Sequence, residues 1–228
     1  MPARELSAVL FDLDGTLIDS APDLLAALDR ARARLGLPAA DHASLRHHAS
    51  RGAAGILAAG LGERPGLDME QVKRQFLDDY AAALWCRTRP FSGIEQLLVR
   101  LVEAGTPLGI VTNKISRFAD PVLEHAGWEG CFGCLVTGDR VKYPKPDPEP
   151  VLMACEVLGI APQNVLFVGD DRRDIDAGLA AGTMTAVAAW GYIEPGDDPG
   201  DWGADLLVRS PEELWATLSM ESGMESEE

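Results

Sequence analysis

The sequence predicts an α/β protein: a parallel sheet with helices between its strands, interrupted early by a helical insertion. Three observations lead there. From residue 93 onward, short apolar runs alternate with amphipathic helical segments, and strands separated by helices of about ten residues form βαβ units and a parallel sheet. The stretch 41–88 has helical spacing and glycine breaks but no strand pattern. Acids, a hydroxyl and a lysine recur just beyond the apolar runs, where ligands sit in an open α/β sheet.

The first strand is expected over 8–12, with Ala8-Val9-Leu10 as its apolar run. From Pro22 to Leu35 the apolar residues Leu24, Leu25, Leu28, Ala31 and Leu35 share a helical face. Asp19 or Ser20 is placed to cap that helix, Pro22 suits its first turn, and Gly36-Leu37-Pro38 stops it. Residues 41–88 continue as helices broken at Gly60-Leu61-Gly62 and around Pro65-Gly66. After Pro90-Phe91-Ser92-Gly93 the pattern predicts helix 93–104, strand 107–112, helix 116–126, strand 134–137, helix 147–158, strand 165–169, helix 174–181 and strand 184–188.

A length of 228 residues suits one domain with an insertion or two modest domains, and 46% hydrophobic residues supply a core. The formal charge of −16 argues against nucleic acid and acidic membrane surfaces as partners. It also requires any phosphate site to be locally positive. No run reaches the length of a membrane-spanning helix, and Met1-Pro2-Ala3-Arg4-Glu5 lacks a signal-peptide pattern, so the expected location is the cytoplasm. The polar residues 220–228 read as a mobile tail. Cys131 and Cys134 have CxxC spacing but no second pair and no matching histidines, so buried or half-buried free thiols are expected at Cys86, Cys131, Cys134 and Cys155. His42, His47, His48 and His125 show no ligand spacing.

The chemistry concentrates in four stretches. Phe11-Asp12-Leu13-Asp14-Gly15-Thr16-Leu17 sets two acids two apart at a strand end. If strand geometry persists they face the same way, and their repulsion calls for a cation between them. Gly15 lets the chain turn away. Thr112-Asn113 and Asp170-Asp171 end two further strands, and Lys142-Tyr143-Pro144-Lys145-Pro146-Asp147-Pro148 lies between them. A carboxylate pair, a metal and a lysine are equipment for phosphate chemistry.

In this order, over residues 7 to 190, the four stretches resemble the haloacid dehalogenase-like phosphatases. The resemblance implies a Rossmann-like parallel-sheet core over 1–17 and 89–215, a helical cap over 18–88 inserted after the first strand, and a disordered tail over 216–228. It implies Asp12 as the nucleophile that forms an aspartyl-phosphate and Asp14 as the general acid and base. Asp12, the backbone carbonyl of Asp14, and Asp170 would hold Mg2+, with Asp174 and Asp171 behind them. Thr112 and the N–H groups of Leu13 and Asn113 would contact phosphate, and Lys145 would hold nucleophile and phosphate together.

Further stretches resemble the N-acetylmuramic acid 6-phosphate phosphatases of bacterial cell-wall recycling. They are Val111-Thr112-Asn113-Lys114 with Arg117-Phe118-Ala119, Lys145 to Pro150, Phe167 to Asp171 with Arg173-Asp174-Ile175, and Gly191-Tyr192-Ile193 with Pro195 and Trp202 to Asp205. The implied substrate is that amino-sugar phosphate, the alternative phosphoglycolate; a sugar-phosphate mutase or a phosphate-ligand binding protein is the reading from another class. Both leading substrates carry a carboxylate, for which Arg46, Arg51, Lys114 and Arg117 are the candidate cations, with Gly52 in a small-residue run that leaves room in the cap. The partner is expected to be a small phosphorylated metabolite, with neither nucleic acid nor membrane, and the chain a monomer or weak dimer.

Overall fold

A computed structural model of the chain describes residues 6–222. Its sheet has six strands, all parallel, in the order β5-β4-β1-β6-β7-β8: β1 (Ala8–Phe11), β4 (Leu108–Val111), β5 (Cys134–Val136), β6 (Val165–Gly169), β7 (Met184–Ala188) and β8 (Leu206–Val208). Two further strands, β2 (Ile18–Asp19) and β3 (Arg89–Pro90), pair antiparallel. They bring together the entry and exit of the helical insertion, which holds α1 (Ala21–Arg34), α2 (His42–Leu45), α3 (Gly52–Leu61) and α4 (Met69–Ala81). Between β3 and the end come α5 (Ile94–Glu103), α6 (Ser116–Ala126), α7 (Glu149–Leu158), α8 (Arg172–Ala181) and α9 (Pro211–Ser222). Among the described residues no helix is long and apolar enough to cross a membrane.

Alternation along β1 sorts its side chains into two layers. Val9 and Phe11 join a core with Ile94 and Leu97 of α5, Phe118 of α6 and Leu214 of α9. Ala8 and Leu10 join a second core with Val151 and Ala154 of α7 and Ala177 of α8. Both faces of the sheet are covered, as a parallel sheet requires. Within the insertion, α1 packs on α3 and α4 through Leu24, Leu28, Ile56, Leu57, Val72 and Phe76.

The strand order puts β1 between β4 and β6, which run to opposite edges. That reversal is the switch point at which open α/β sheets bind ligands. Register aligns the ends: Phe11 is level with Ile110 on one side and Val168 on the other. Asp12, Thr112 and Asp170, which follow these strands, therefore emerge at one sheet edge.

Departures from the sequence reading have local causes. The helix expected from 147 starts at Glu149, where the Asp147 side chain accepts from the Glu149 N–H at 2.9 Å and so satisfies a donor of the first turn from outside the helix. The helix expected from 174 starts at Arg172, since Asp171 and Asp174 form a capping box that sets the start two residues earlier. Strands β2, β3 and β8 have two or three residues, too few for a period. Cys86 is exposed rather than buried; Cys134 and Cys155 are buried, and burial pushes each thiol up to about 11.

The tail expected over 216–228 is corrected over its first half. Residues 216–222 belong to α9, and Leu218 is packed in the same core as Leu214; the remainder, 223–228, lies outside the described residues. Leu218→Ala should therefore cost about 2–4 kcal/mol in urea unfolding, as a buried leucine does. A true tail position would leave the midpoint unmoved.

Candidate active site

One buried ammonium organises the sheet edge. Lys145 Nζ donates to Asp12 Oδ1 at 2.7 Å and to the Val111 carbonyl at 2.8 Å, and pairs with Asp174 Oδ1 at 2.6 Å. Each of its three protons has an acceptor, and those acceptors follow β1, end β4 and open α8. Burial works against the charge on Lys145, but Asp12 and Asp174 outweigh it and raise its pKa. The loop is held by Asn113, whose Nδ2 donates to the Lys145 carbonyl at 2.9 Å and whose Oδ1 accepts from its N–H at 3.0 Å. The Asn113 side chain thus positions Lys145.

Asp12, Asp170 and Asp174 are buried and can each turn one carboxylate oxygen to a common centre, all within 4.8 Å of one another. Asp170 is framed by donors: Thr16 Oγ1 reaches Oδ1 at 2.8 Å and the Tyr192 N–H reaches Oδ2 at 2.8 Å. Two glycines allow this approach. A Cβ on Gly15 would lie 2.1 Å from Asp170 Oδ2, and one on Gly191 would lie 2.3 Å from Asp170 Cβ. Gly15 also has φ +97, which other residues resist. Burial, then the charges of Asp12 and Asp174, push the Asp170 carboxyl well above the ordinary range. Asp174 is pushed up too, by burial first, against the pull of Lys145. Three carboxylates face one lysine, and that excess of negative charge suits a hard divalent cation.

The buried acid cluster brings in Asp174, expected only behind the metal ligands, with an oxygen of its own. The Asp14 side chain, of which only the backbone carbonyl was expected to face a metal, is engaged elsewhere. The strand ends at Phe11, so alternation does not carry through to Asp14. Both Asp14 oxygens accept from Lys114 Nζ, at 2.9 and 3.0 Å, and Oδ1 also accepts from Ser20 Oγ at 2.5 Å. Ser20 precedes α1 without capping it through its side chain; its hydroxyl serves Asp14 instead. Lys114 Nζ also meets the Tyr80 hydroxyl of α4 at 2.9 Å. Burial disfavours the charge on Lys114, but Asp14 and Tyr80 hold its pKa above the ordinary value. Thr112 Oγ1 accepts from the Lys114 N–H at 3.1 Å, which fixes the turn between them.

A cavity of about 380 Å³ opens over this edge, lined by Asp12, Asp14, Thr112, Asn113, Lys114, Lys145, Asp171 and Asp174 from below. From the insertion come Leu24, Ser50, Arg51, Gly52, Ala53, Lys73, Leu77 and Tyr80, and Phe118 closes the apolar side. Leu13 is fully buried beneath. Asp171 caps α8 and binds Arg173 Nε and Nη2 at 2.7 and 2.9 Å, while Arg173 Nη2 also donates to the Ser50 carbonyl at 2.8 Å. This pair ties the sheet edge to the insertion. All four of the expected carboxylate-binding cations are occupied or absent, Lys114 being held by Asp14. Arg51 pairs with Glu194 at 2.5 Å, and Arg46 pairs with Asp19 at 3.0 Å. Arg117 is not brought to the cavity: it pairs with Asp78 at 2.7 Å with half its side chain exposed. It is Phe118, the next residue on α6, that faces the cavity, since successive helical residues point about 100° apart.

Residues 9–188 match the model of the haloacid dehalogenase-like hydrolases. The chain belongs to that family. It is 46% identical over 215 residues to an N-acetylmuramic acid 6-phosphate phosphatase of Pseudomonas aeruginosa, covering 94% of this chain and 95% of the relative. It is 42% identical over 208 residues to a phosphoglycolate phosphatase of Xanthomonas campestris, covering 91% and 94%. Among solved structures, a Haemophilus somnus protein described as a predicted phosphoglycolate phosphatase superposes with TM-score 0.84 at 26% identity, covering 93% of this chain and 98% of that one. This haloacid dehalogenase-like hydrolase is a phosphoric monoester hydrolase.

Several of the hydrolase's site residues escaped sequence reasoning. Ser20, Lys73, Leu77 and Tyr80 look like ordinary helix residues; only the i, i+4, i+7 spacing of the last three hints that they share a face. Tyr192 lies in Gly191-Tyr192-Ile193, where nothing in the sequence marks a role for it. Its N–H holds Asp170, and its hydroxyl donates to Asp19 Oδ1 and accepts from the Ala21 N–H, both at 2.9 Å. It thereby links the acid cluster to the point where the insertion begins. Burial, then Asp19 and Asp14, push its phenol well above the ordinary value, so it stays a donor. Tyr192→Phe leaves the buried Ala21 N–H without its acceptor and takes one donor from half-buried Asp19, which keeps Arg46, and urea unfolding should register a loss of about 1–3 kcal/mol. Wild-type stability would mean that the link carries no energy.

Proposed function

We propose that this hydrolase removes phosphate from N-acetylmuramate 6-phosphate by way of a phosphoryl group carried on Asp12. The cavity is the observation that carries the substrate reading. Its 380 Å³ and its wall of Leu24, Ala53, Leu77 and Phe118 fall in the range of about 300–1,000 Å³ that suits a ligand of amino-sugar size. A two-carbon glycolate ester would leave most of that space to water. The 46% identical relative with that name agrees. Such a substrate belongs to cytoplasmic recycling of cell-wall amino sugars.

In this reading Asp12 attacks phosphorus in line. Lys145, anchored by Asp174 and Val111, fixes the attacking carboxylate and offsets the charge gathering on the phosphoryl oxygens. Thr112 and the backbone of Leu13 and Asn113 surround the phosphate. Asp14 protonates the leaving sugar oxygen and later takes a proton from the water that frees phosphate. Both Asp14 oxygens accept hydrogen bonds in this arrangement; to act as the acid Asp14 first takes up a proton from solvent, with Lys114 or Ser20 giving way to it, and that proton goes to the leaving oxygen. Mg2+ fits the cluster of Asp12, Asp170 and Asp174, with the Asp14 carbonyl as a further oxygen, and when bound it would neutralise charge on phosphate and nucleophile. The helices α1–α4 act as the cap, closing the cavity over the reacting atoms and selecting the ester.

Two experiments test this. In a steady-state panel, kcat/KM for N-acetylmuramate 6-phosphate should exceed that for 2-phosphoglycolate, and Asp12→Asn should lower both by several orders of magnitude. A higher value for phosphoglycolate overturns the substrate; a variant within about tenfold of wild type overturns the nucleophile. Chelation should abolish turnover and Mg2+ restore it. Independently of turnover, adding Mg2+ should raise the melting temperature by binding the folded state. Asp170→Asn should blunt that rise, and an equal rise in the variant would remove Asp170 from the metal set.

A further inference from the structure

N-acetylmuramate carries a lactyl carboxylate on the sugar ring, remote from the phosphate at C6. A site that recognises it needs a cation remote from Asp12. The cations at the cavity are largely committed to fixed partners: Lys145 to Asp12 and Asp174, Lys114 to Asp14, Arg173 to Asp171, and Arg51 to Glu194. Lys73 is different. It lines the cavity from α4, and among the described residues it has neither a hydrogen bond nor an ion pair.

Its position also fits. Lys73, Leu77 and Tyr80 stand at i, i+4 and i+7 on one face of α4 and all line the cavity. Tyr80 meets Lys114 beside Asp14 and so marks the reacting end. Seven residues of helix place Lys73 about 10 Å further along the axis. A hexose phosphate spans most of that interval and the lysine stem covers the rest, whereas the carboxylate of phosphoglycolate stays near its phosphorus. Leu77, between the two polar ends, faces the sugar ring.

We propose that Lys73 is a specificity-determining residue that receives the substrate's second anionic group, the carboxylate on the sugar ring. The inference rests on the amino-sugar reading given above and assigns the residue that enforces it.

The test compares N-acetylmuramate 6-phosphate with N-acetylglucosamine 6-phosphate, which differs only in lacking the lactyl ether, in wild type, Lys73→Met and Lys73→Arg. Wild type should favour the lactyl ester. Lys73→Met should lower that preference, as a ratio of kcat/KM values, by about five- to tenfold, the scale of a partly exposed ion pair at a ligand. The change should come through KM for the lactyl ester, and Lys73→Arg should retain most of the preference. Lys73 is exposed, so the variants should fold, which their melting curves check. If wild type hydrolyses the lactyl ester efficiently but Lys73→Met keeps the full ratio, the role of Lys73 is overturned and the substrate stands. If wild type prefers phosphoglycolate, the substrate reading itself fails and the role falls with it.

Discussion

The ammonium of Lys145 is the interaction on which the site depends. Asp12 follows β1, Asp170 follows β6 and Asp174 stands in the first turn of α8, and buried so close together they would repel one another. Lys145 binds two of the three and the end of β4 as well. Removing one partner from a buried set of this kind strands the remaining charge, at a cost of about 3–5 kcal/mol. Asn113 brackets the backbone of that lysine on both sides, so β4 supplies both an acceptor and the clamp. The orientation of Asp12 is therefore a property of the fold, with little side-chain freedom left to lose.

A second network couples this rigid edge to the insertion. Tyr192 reaches from Asp170 to Asp19 and Ala21, Arg173 reaches from Asp171 to the Ser50 carbonyl, and Lys114 reaches from Asp14 to Tyr80. All three links begin at acids of the sheet edge and end on the insertion or its entry. Any displacement of α1–α4 must break or stretch bonds to these acids. The placement of the insertion and the alignment of the acids are in that sense coupled, and Lys114 is the link that bonds Asp14 directly.

The sheet and the acids on it were legible because both rest on short-range rules. Apolar runs spaced by helices define the parallel sheet, and ligands gather at strand ends, so Asp12, Thr112, Lys145 and Asp170 could be read in place. What could not be read depends on where separate elements meet. Arg117 and Phe118 are neighbours in sequence, yet only the ring faces the cavity, a choice made by how α6 lies on the core. Ser20 has the composition of a helix cap and spends its hydroxyl on Asp14. Tyr80 and Lys73 are unremarkable on α4 until the insertion folds over the sheet edge. Leu218 sits in a polar C-terminal stretch, and only the packing of α9 shows that it belongs to the core.

The charge distribution sharpens the mechanism. The chain carries a formal charge of −16, and the cavity floor is itself rich in carboxylates. Its buried cations are bound to those carboxylates, and the first turn of α8, which could otherwise receive an anion, is capped by Asp171 and Asp174. On its own side chains the site is thus a rigid frame of acceptors with little spare positive potential for phosphate. A divalent cation held by Asp12, Asp170 and Asp174 would reverse that balance and would account for the burial of so many acids beside the cavity. Such a charge would serve every phosphomonoester alike. On the reading proposed above, discrimination between esters falls to the far side of the cavity, where Leu77 offers an apolar surface and Lys73 a cation without a hydrogen bond or ion pair among the described residues.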